Sequence, residues 1–204
     1  CPRCGSLERH RMLCAFFQRR LEDDRPKKFL HVAPEQCLEA RFQRRFGSAY
    51  VSADLVDPGS DLIMDLTAID EPDGRFDAIC CCHVLEHIDD DRRAMQELRR
   101  VLAAEGWMVV QVPVIAEKTW QDPAIQTPEE RQAAYRHWDH RRAYGPDVAD
   151  RLREAGFDVE VVDIASLVPD ESETRRMGLT SSAGDIYFCR PKPSETDLAS
   201  GDPG

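Results

Sequence analysis

The chain has 204 residues, 42% of them hydrophobic, which predicts a single domain with one sizeable core and some appendages. Its formal net charge of -11, from 38 acidic and 27 basic residues, argues against a general binder of nucleic acid or of anionic membranes. Because no apolar run approaches the ~20 residues that span a bilayer and no signal-peptide pattern is present, we expect a cytoplasmic protein.

Residues 1–27 combine a cysteine pair with a helical pattern. Cys1 and Cys4 have the spacing of a zinc knuckle, and a tetrahedral zinc site needs two more ligands. His10 and Cys14 lie four residues apart on a leading helix predicted over residues 7–21, and they could complete the site. The ligands could instead precede Cys1, because the sequence starts without a methionine. Two exposed free cysteines are the alternative to a metal site.

Strands and helices alternate from residue 28 onward. Apolar runs predict strands at residues 28–33, 49–54, 61–65 and 75–85, and Leu38, Phe42 and Phe46 indicate a helix that ends at Gly47. The fourth run, RFDAICCCHVL, is continuously apolar, as expected for a central strand covered on both faces. Its three consecutive cysteines favour small buried core residues in a reducing compartment over disulfides.

The second half continues this alternation around one long polar segment. The pattern predicts a helix over residues 89–102, with Gly106 after it, and a strand over residues 107–113. Residues 114–144 are too long for a passive connector and predict a lid with some helix of its own. A helix over residues 146–155, strands at 157–164 and 185–191, and a disordered tail at 191–204 complete the chain.

The alternation predicts a mostly parallel sheet between two helix layers, with ligands bound beyond the carboxyl ends of the strands. Small or polar residues stand at those ends, namely Ala33–Glu35, Asp54, Asp65–Thr67 and His83. Asp54, at the end of the second strand, can accept both hydroxyls of a ribose because a carboxylate has two acceptor oxygens. A solvated aspartate at a strand end is the alternative.

The order of six segments adds information: FLHVAPE, YVSADL, DLIMDLT, residues 76–113, DHRRAYG and AGFDVEVVD. In this order they resemble the class I S-adenosylmethionine-dependent methyltransferases, particularly the type 11-like group with HVLEH after the fourth strand. The resemblance covers residues 28–190. It implies a Rossmann-like, doubly wound α/β fold, in which a seven-stranded mixed sheet has its last strand antiparallel and helices on both faces.

The resemblance also implies S-adenosyl-L-methionine as the cofactor and a set of residues that contact it. These are Ala33, Pro34, Glu35, Asp54, Leu55, Asp65, Leu66, Thr67 and His83. Asp54 would hold the ribose, Asp65 and the two backbone units after it would meet the adenine, and His83 would lie beside the methionine part.

The first turn departs from the family pattern. Where the family usually has an acidic residue and then glycines, this sequence has His31, Ala33, Glu35 and Cys37. A cofactor without phosphates does not need a turn of bare amides, and Ala33 is small enough for close approach while Pro34 fixes the turn. Glu35 either meets the ammonium group of the cofactor or sits favourably in the first turn of the next helix.

The implied reaction transfers a methyl group to an unidentified acceptor, for which we expect a small molecule. A sulfonium methyl is already reactive, so alignment of a nucleophile and removal of its proton can suffice. His83, His87 and His140 are candidate bases, and for each the alternative is a role in packing or loop bracing. We expect no membrane partner and no nucleic acid, and the sequence leaves the oligomeric state open.

Two other functions compete with this one. HVLEH is also the His-x-x-Glu-His pattern of zinc hydrolases, which requires a helix and a further ligand. A binding or scaffold domain that has lost its cofactor is consistent with the altered first turn. Finally, CPRCGSLERHR resembles the amino-terminal part of some methyltransferases of the same group, which implies a structural zinc in the full-length protein.

Overall fold

A seven-stranded sheet runs through the computed structural model, which describes residues 5–193. The strands are β1 (Phe29–Val32), β2 (Tyr50–Asp54), β3 (Leu62–Ile63), β4 (Phe76–Cys82), β5 (Leu102–Gln111), β6 (Phe157–Val162) and β7 (Ile186–Pro191). Their order across the sheet is β3-β2-β1-β4-β5-β7-β6. All neighbours are parallel except that β7 runs antiparallel to both β5 and β6. The predicted doubly wound mixed sheet, with its last strand antiparallel, is confirmed.

Helices cover both faces of this sheet. They are α1 (Glu8–Arg20), α2 (Gln36–Phe46), α3 (Asp91–Val101), α4 (Pro128–Tyr135), α5 (Val148–Glu154), α6 (Ile164–Leu167) and α7 (Glu171–Met177). The helices predicted from periodicity, α1, α2, α3 and α5, are confirmed to within a few residues. Helices α6 and α7 were not predicted, because four and seven residues are too few to show a helical period.

Two apolar layers sandwich the sheet, and alternate residues of each central strand enter opposite layers. In β4, Ile79 and Cys81 pack on the face covered by α3 and α5. Cys80 and Cys82 pack on the face covered by α1 and α2, and their sulfurs lie 3.7 Å apart without a disulfide. The prediction of a central strand with buried, unbridged cysteines is confirmed.

Helix α1 packs into the same core as the sheet and does not form a separate unit with the cysteine pair. Phe17 on α1 packs against Phe42 of α2 with 4.7 Å between ring centroids, and against Phe29 of β1 and Trp107 of β5 at 6.1 and 5.8 Å. These aromatic contacts bury the apolar face of α1 against the sheet. The helix is thereby fixed close to the turn that follows β1.

Gly106 has a different role from the predicted one. It was expected to follow the third helix as a stop signal, but that helix ends at Val101 and β5 begins at once, so Gly106 lies inside a strand. A Cβ atom at this position would lie 2.7 Å from the backbone oxygen of Asp77 on β4. Only glycine allows the two strands to approach this closely.

Residues 114–144 leave the sheet after β5 and return to the same place, and we call them the excursion. Val114 pairs with Tyr144 and Trp120 pairs with Ala143, so the two ends of the excursion are joined. Its single α-helix, α4, starts at Thr127 with a capping box. The helix expected within this segment is present. That the excursion acts as a lid stays a prediction.

No helix within residues 5–193 is long and apolar enough to cross a membrane. Of the predicted disordered tail, residues 194–204 lie outside the described residues, and Pro191 is the last residue of β7.

Candidate functional site

The carboxyl ends of β1 and β4 border the point at which the strand order reverses. The chain adds β2 and β3 on one side of this pair and β5, β7 and β6 on the other. The register pairs Val32 with both Ala53 and Cys81, so the residues that follow, Ala33 and Asp54 among them, lie side by side. Open α/β sheets bind their ligands in this position. The structure therefore gathers the residues of the predicted site at one edge.

The glycine-free turn after β1 adopts a backbone conformation that usually requires glycine. Ala33 has a φ of 44°, and its N–H donates a hydrogen bond of 2.7 Å to the carbonyl of Ala53 across the sheet. A left-handed backbone costs a non-glycine residue about 1–2 kcal/mol. Pro34 and Glu35 then lead directly into α2. The turn thus has the backbone geometry of a glycine turn, and the only side-chain group added at this position is the methyl group of Ala33.

The turn after β4 has the same feature. His83 has a φ of 56°, and its N–H donates to the carbonyl of Gln111 on β5 at 2.7 Å. Among residues 5–193 the other non-glycine residues with positive φ are Ala33 and Arg136. Strained residues of this kind cluster at active sites and ligand clamps. Two of the three, Ala33 and His83, flank the crevice between β1 and β4, which is where the strand ends predict the site.

Glu35 binds helix α1. Its carboxylate pairs with the guanidinium of Arg9 and lies 2.7 Å from Nε2 of His10. Burial raises the pKa of Glu35, but hydrogen bonds from His10 and Arg9 outweigh this effect and lower the pKa to about 2. To the two roles expected of Glu35 the structure adds a third, which is to anchor α1 beside the first turn. Sequence spacing could not reveal the ion pair between Glu35 and Arg9, because the two residues are 26 positions apart.

Asp54 ends β2 with one carboxylate oxygen engaged locally. Its Oδ1 accepts the N–H groups of Val56 and Asp57 at 2.9 and 3.0 Å. Oδ2 is the second acceptor of the group. The next side chain, Leu55, is 61% exposed. A carboxylate beside an exposed aliphatic side chain suits a ligand that has hydroxyl groups next to a flat apolar part.

Asp65 opens a tight turn after β3. Its Oδ1 accepts the backbone N–H of Thr67 at 2.8 Å and the Thr67 hydroxyl at 2.7 Å, and these bonds lower the pKa of Asp65. The side chain of Leu66 is buried beneath the turn, whereas Asp65 is exposed. The turn therefore presents Asp65 and its backbone at the ligand edge of the sheet.

The loop after β4 is held in place by the excursion. Arg142 is only 1% exposed, and its guanidinium donates to the carbonyls of Leu85, Ile88 and Asp89 at 2.6–2.8 Å. A single side chain thus satisfies three backbone acceptors of the loop, which fixes the loop conformation. Nothing in the sequence shows which arginine of the excursion is buried, so Arg142 could not be predicted.

The histidines considered as bases fall into two groups. The rings of His87 and His140 have centroids 4.9 Å apart, and His137 lies 4.5 Å from His140. Burial lowers the pKa of His140, opposed only in part by the charge of Glu86. His83 pairs instead with Glu86, which is fully buried, at 3.3 Å from Nδ1 to Oε1. The burial of His140 favours its neutral form, which is the form that can accept a proton.

A sequence model of a family described as a methyltransferase domain matches residues 7–162, which is more than half of the chain. The chain belongs to the class I S-adenosylmethionine-dependent methyltransferases. The resemblance noted in the sequence is confirmed. Curated protein sequences give no match.

Solved structures share this methyltransferase fold at low sequence identity. The 1,6-didemethyltoxoflavin N1-methyltransferase of Burkholderia thailandensis, solved with 1,6-didemethyltoxoflavin and S-adenosylhomocysteine, is 16% identical with a TM-score of 0.59, over 91% of this chain and 80% of that one. The cyclase SpnF is 17% identical with a TM-score of 0.58, over 92% and 82%. A chain of the Haloferax volcanii complex between the methyltransferase activator Trm112 and a methyltransferase is 11% identical with a TM-score of 0.56, over 91% of each chain.

The predicted zinc ligands of this methyltransferase lie only partly within the described residues. Cys1 and Cys4 fall outside residues 5–193. Both ring nitrogens of His10 have hydrogen-bond partners, at 3.0 and 2.7 Å, and Sγ of Cys37 on α2 also lies 3.0 Å from its Nδ1. Cys14 is one turn further along α1. Cys37 is therefore a thiol near His10 that spacing along α1 could not indicate, and zinc binding here stays a prediction.

The HVLEH segment lacks the local structure that a zinc hydrolase of this pattern requires. Residues Leu85–His87 form a single 3-10 turn, and His83 precedes it in the left-handed conformation. The pattern places two histidines on one face of an α-helix. Here the two histidines take different partners, Glu86 for His83 and Asp139 for His87.

Proposed function

We propose that this chain binds S-adenosylmethionine across the ends of β1 to β4 and transfers its methyl group to a small-molecule acceptor. Membership of the methyltransferase family supports the chemistry. The observation that carries the proposal is the position of Asp54, at the end of β2 and level with the left-handed turn at Ala33. This is where a carboxylate can accept both hydroxyls of a ribose.

The residues at the strand ends fit this cofactor. Oδ2 of Asp54 is oriented by the turn that Oδ1 stabilises, and Leu55 offers an aliphatic surface to the adenine ring. The exposed turn at Asp65–Thr67 lies beyond the neighbouring strand and provides polar groups for the edge of the base. Ala33 leaves the backbone of the first turn accessible to the methionine part, because its side chain is a single methyl group.

The protein has little chemistry of its own to supply. When bound, the sulfonium of the cofactor provides a reactive methyl group, so the chain has to align the acceptor and receive a proton. When no metal ion occupies their nitrogens, His140, whose pKa burial lowers, and His87 beside it are the candidate proton acceptors. His83, fixed against Glu86 at the end of β4, is assigned to cofactor positioning.

A cavity of about 460 Å³ at the excursion supports a small acceptor. It lies between the excursion and the loop after β4, and its polar lining includes Asp89, Gln121, Asp122, Arg131 and Arg141. Pockets for small molecules typically have volumes of about 300–1,000 Å³. The mixture of both charges favours a polar acceptor over a purely apolar one.

Calorimetric titration of the full chain with S-adenosylhomocysteine tests this function. We expect heat that fits one site per chain, and no heat with NAD, because the first turn lacks the glycine-rich amide cradle that a pyrophosphate needs. Circular dichroism run on the same sample shows that the protein is folded. Absence of heat with S-adenosylhomocysteine at high micromolar concentration would contradict the proposal.

That outcome would favour a second candidate, a binding domain that has lost its cofactor. One observation speaks for it: the carboxylate of Glu35 is already paired with Arg9 and His10 and is not free to meet an ammonium group. A shared fold alone cannot decide between the two functions.

A further inference from the structure

Three histidines from two separate parts of the chain converge at the junction between the excursion and the loop after β4. His87 comes from the 3-10 turn of that loop, whereas His137 and His140 follow α4 in the excursion. One ring nitrogen from each lies within 4.8 Å of the others, and all three side chains are half-buried. Each neutral imidazole offers one nitrogen lone pair, so the three together have the donors for a shared metal ion.

Two further observations at this junction point to a missing cation. Nδ1 of His140 is buried and has no hydrogen-bond partner within residues 5–193. Glu86, which precedes His87 in the sequence, is 1% exposed, and neither of its carboxylate oxygens makes a hydrogen bond within the same residues; the ring of His83 lies 3.3 Å from it. A buried negative charge and an unpartnered imidazole nitrogen are both stabilised by a nearby metal ion.

Asp139 adds the arrangement that usually surrounds a metal-binding histidine. Its Oδ2 lies 3.1 Å from Nδ1 of His87, which fixes the ring and leaves Nε2 with its lone pair exposed for coordination. Carboxylate–histidine pairs of this kind orient the ligand and raise its basicity. Asp139 is itself half-buried, and its Oδ1 lies 3.7 Å from the guanidinium of Arg141. Both contacts hold the Asp139 side chain beside His87.

We propose that His87, His137 and His140 form a binding site for a divalent transition-metal ion of the zinc type. Imidazole nitrogens suit zinc, cobalt, nickel and copper, whereas magnesium and calcium prefer oxygen ligands. Three protein ligands leave a coordination position for water or for an oxygen of a bound molecule. The site differs from the hydrolase pattern HVLEH, because His83 takes no part in it.

The rings need to move only slightly to close around the ion. Tetrahedral zinc with bonds of about 2.0–2.1 Å brings its ligand nitrogens to about 3.3 Å from one another, so the present spacing shrinks by at most about 1.5 Å. His137 has a competing interaction, because its Nδ1 accepts the N–H of Asp139 at 3.2 Å. It therefore contributes less than His87 and His140.

Metal binding here would tie the excursion to the loop after β4. His137 and His140 belong to the excursion, whereas His87 belongs to the loop after β4. The ion would replace the ring contacts that now join His87 to the other two histidines. Because an ion that binds only the folded chain stabilises it, the excursion should become more resistant to opening when the site is loaded. This consequence does not depend on the cofactor.

The first experiment separates this site from the predicted cysteine site. The full chain carrying Cys1→Ser and Cys4→Ser is stripped of metal and titrated with Co²⁺ while its visible absorption is recorded. We expect one equivalent of Co²⁺ to bind with d–d bands and without a thiolate charge-transfer band, since the ligands are nitrogen and oxygen. No binding by the folded protein, or a thiolate band from Cys14 and Cys37, would overturn the proposal.

The second experiment tests the residues in the same background with Zn²⁺. We expect His140→Ala to weaken the affinity at least about 100-fold and Asp139→Asn to weaken it about 10–100-fold, as for ligands and their carboxylate partners in other sites. His137→Ala should have a smaller effect than His140→Ala. Glu129→Ala, at an exposed position of α4 in the same excursion, is the control and should change the affinity less than twofold. Equal affinity in His140→Ala and the control would overturn the proposal.

Folding and cofactor binding are followed separately. Circular dichroism checks each variant, and if His140→Ala does not fold, Asp139→Asn, which keeps the size of the side chain, decides the question. The heat with S-adenosylhomocysteine is measured for Asp139→Asn, which weakens the metal site, and should equal that of the parent protein. Loss of metal binding with unchanged cofactor binding thus distinguishes failure of this site from failure of the proposed function.

Discussion

The two turns that flank the crevice share a left-handed residue but are braced in different ways. The turn after β1, at Ala33, is held from outside the sheet by α1, through the pairing of Glu35 with Arg9 and His10. The loop after β4, at His83, is held by Arg142 of the excursion through backbone carbonyls. The turn after β1 is therefore held by an ion pair between side chains. The loop after β4 is held by a buried guanidinium that donates hydrogen bonds to backbone carbonyls of the loop.

This difference separates the site into two halves. The half at β1 and β2 is built from the sheet and α1 and should govern cofactor affinity. The half at β4 carries the histidines and the cavity of the excursion, and it should govern the acceptor. Substitutions in the two halves are therefore expected to have separable effects on stability and binding.

The largest effect is expected from Arg142→Ala, which removes the bracing of the loop after β4. The carbonyls of Leu85, Ile88 and Asp89 each lose a charged donor, and the buried space of the Arg142 side chain is left empty, so the free energy of unfolding should fall by about 3–5 kcal/mol. Urea unfolding measures this change. Arg175→Ala, at an exposed arginine of α7 with a single ion pair, is the control and should change stability by no more than about 0.5 kcal/mol. A loss below about 1 kcal/mol for Arg142→Ala would show that the loop holds its own shape.

The next effect concerns the turn after β1. Ala33→Val places a β-branched side chain in the left-handed region and should lower stability by about 2–3 kcal/mol, whereas Ala33→Gly should leave it within about 1 kcal/mol. Ala40→Val, on the exposed face of α2, serves as control and should cost no more than about 0.7 kcal/mol. Thermal unfolding of the four proteins gives the comparison. Equal costs at positions 33 and 40 would remove the argument that the turn is strained.

How far the sequence could predict this molecule depends on the range of the interactions. Strand and helix alternation predicted the sheet and most helices, because hydrophobic periodicity is local. For the short helices α6 and α7, the only sequence signal is the residue that caps the amino-terminal end. Asp163 accepts the N–H of Ser166 in α6, and Asp170 accepts the N–H of Ser172 in α7. Both aspartates are visible in the sequence, and giving weight to caps would have found these helices.

The positions of the candidate site residues along the strands could be predicted, whereas their long-range contacts could not. Asp54 ends β2 and His83 directly follows β4, as expected. The engagement of Glu35 by Arg9, the burial of Arg142 and the approach of Cys37 to His10 join residues that are far apart in sequence. Periodicity carries no signal for such contacts, so they had to come from the structure.

A pH series probes the bracing at β1. The pKa of Glu35 is lowered from 4.5 to about 2 on folding, so its ion pair stabilises the folded chain above pH 4.5, and this stabilisation is lost as the pH falls towards 2. At pH 7, Glu35→Gln should lower the free energy of unfolding by about 2 kcal/mol, and the difference from the parent protein should shrink to nearly zero by pH 2. Urea unfolding at each pH provides the values. A difference that stays constant over this range would mean that the pair does not depend on the charge of Glu35.

The smallest effect on stability is expected at Leu55. Because its side chain is exposed, Leu55→Ala should change the free energy of unfolding by no more than about 0.5 kcal/mol. It should nevertheless weaken the binding of S-adenosylhomocysteine by about 3–10-fold, through lost contact with the adenine. Val161→Ala, at an exposed position of β6, should change neither quantity. Unchanged affinity for Leu55→Ala would place the adenine elsewhere.

The central claim is that Asp54 holds the ribose of the cofactor, and the affinity of Asp54→Asn for S-adenosylhomocysteine tests it most directly. Asparagine keeps an oxygen for the N–H groups of Val56 and Asp57, so the turn remains, but it loses the charge and the second acceptor. Calorimetry should show affinity at least about 10-fold weaker than that of Asp158→Asn, a matched change on the exposed side of β6. Equal affinities in the two folded variants would contradict the account.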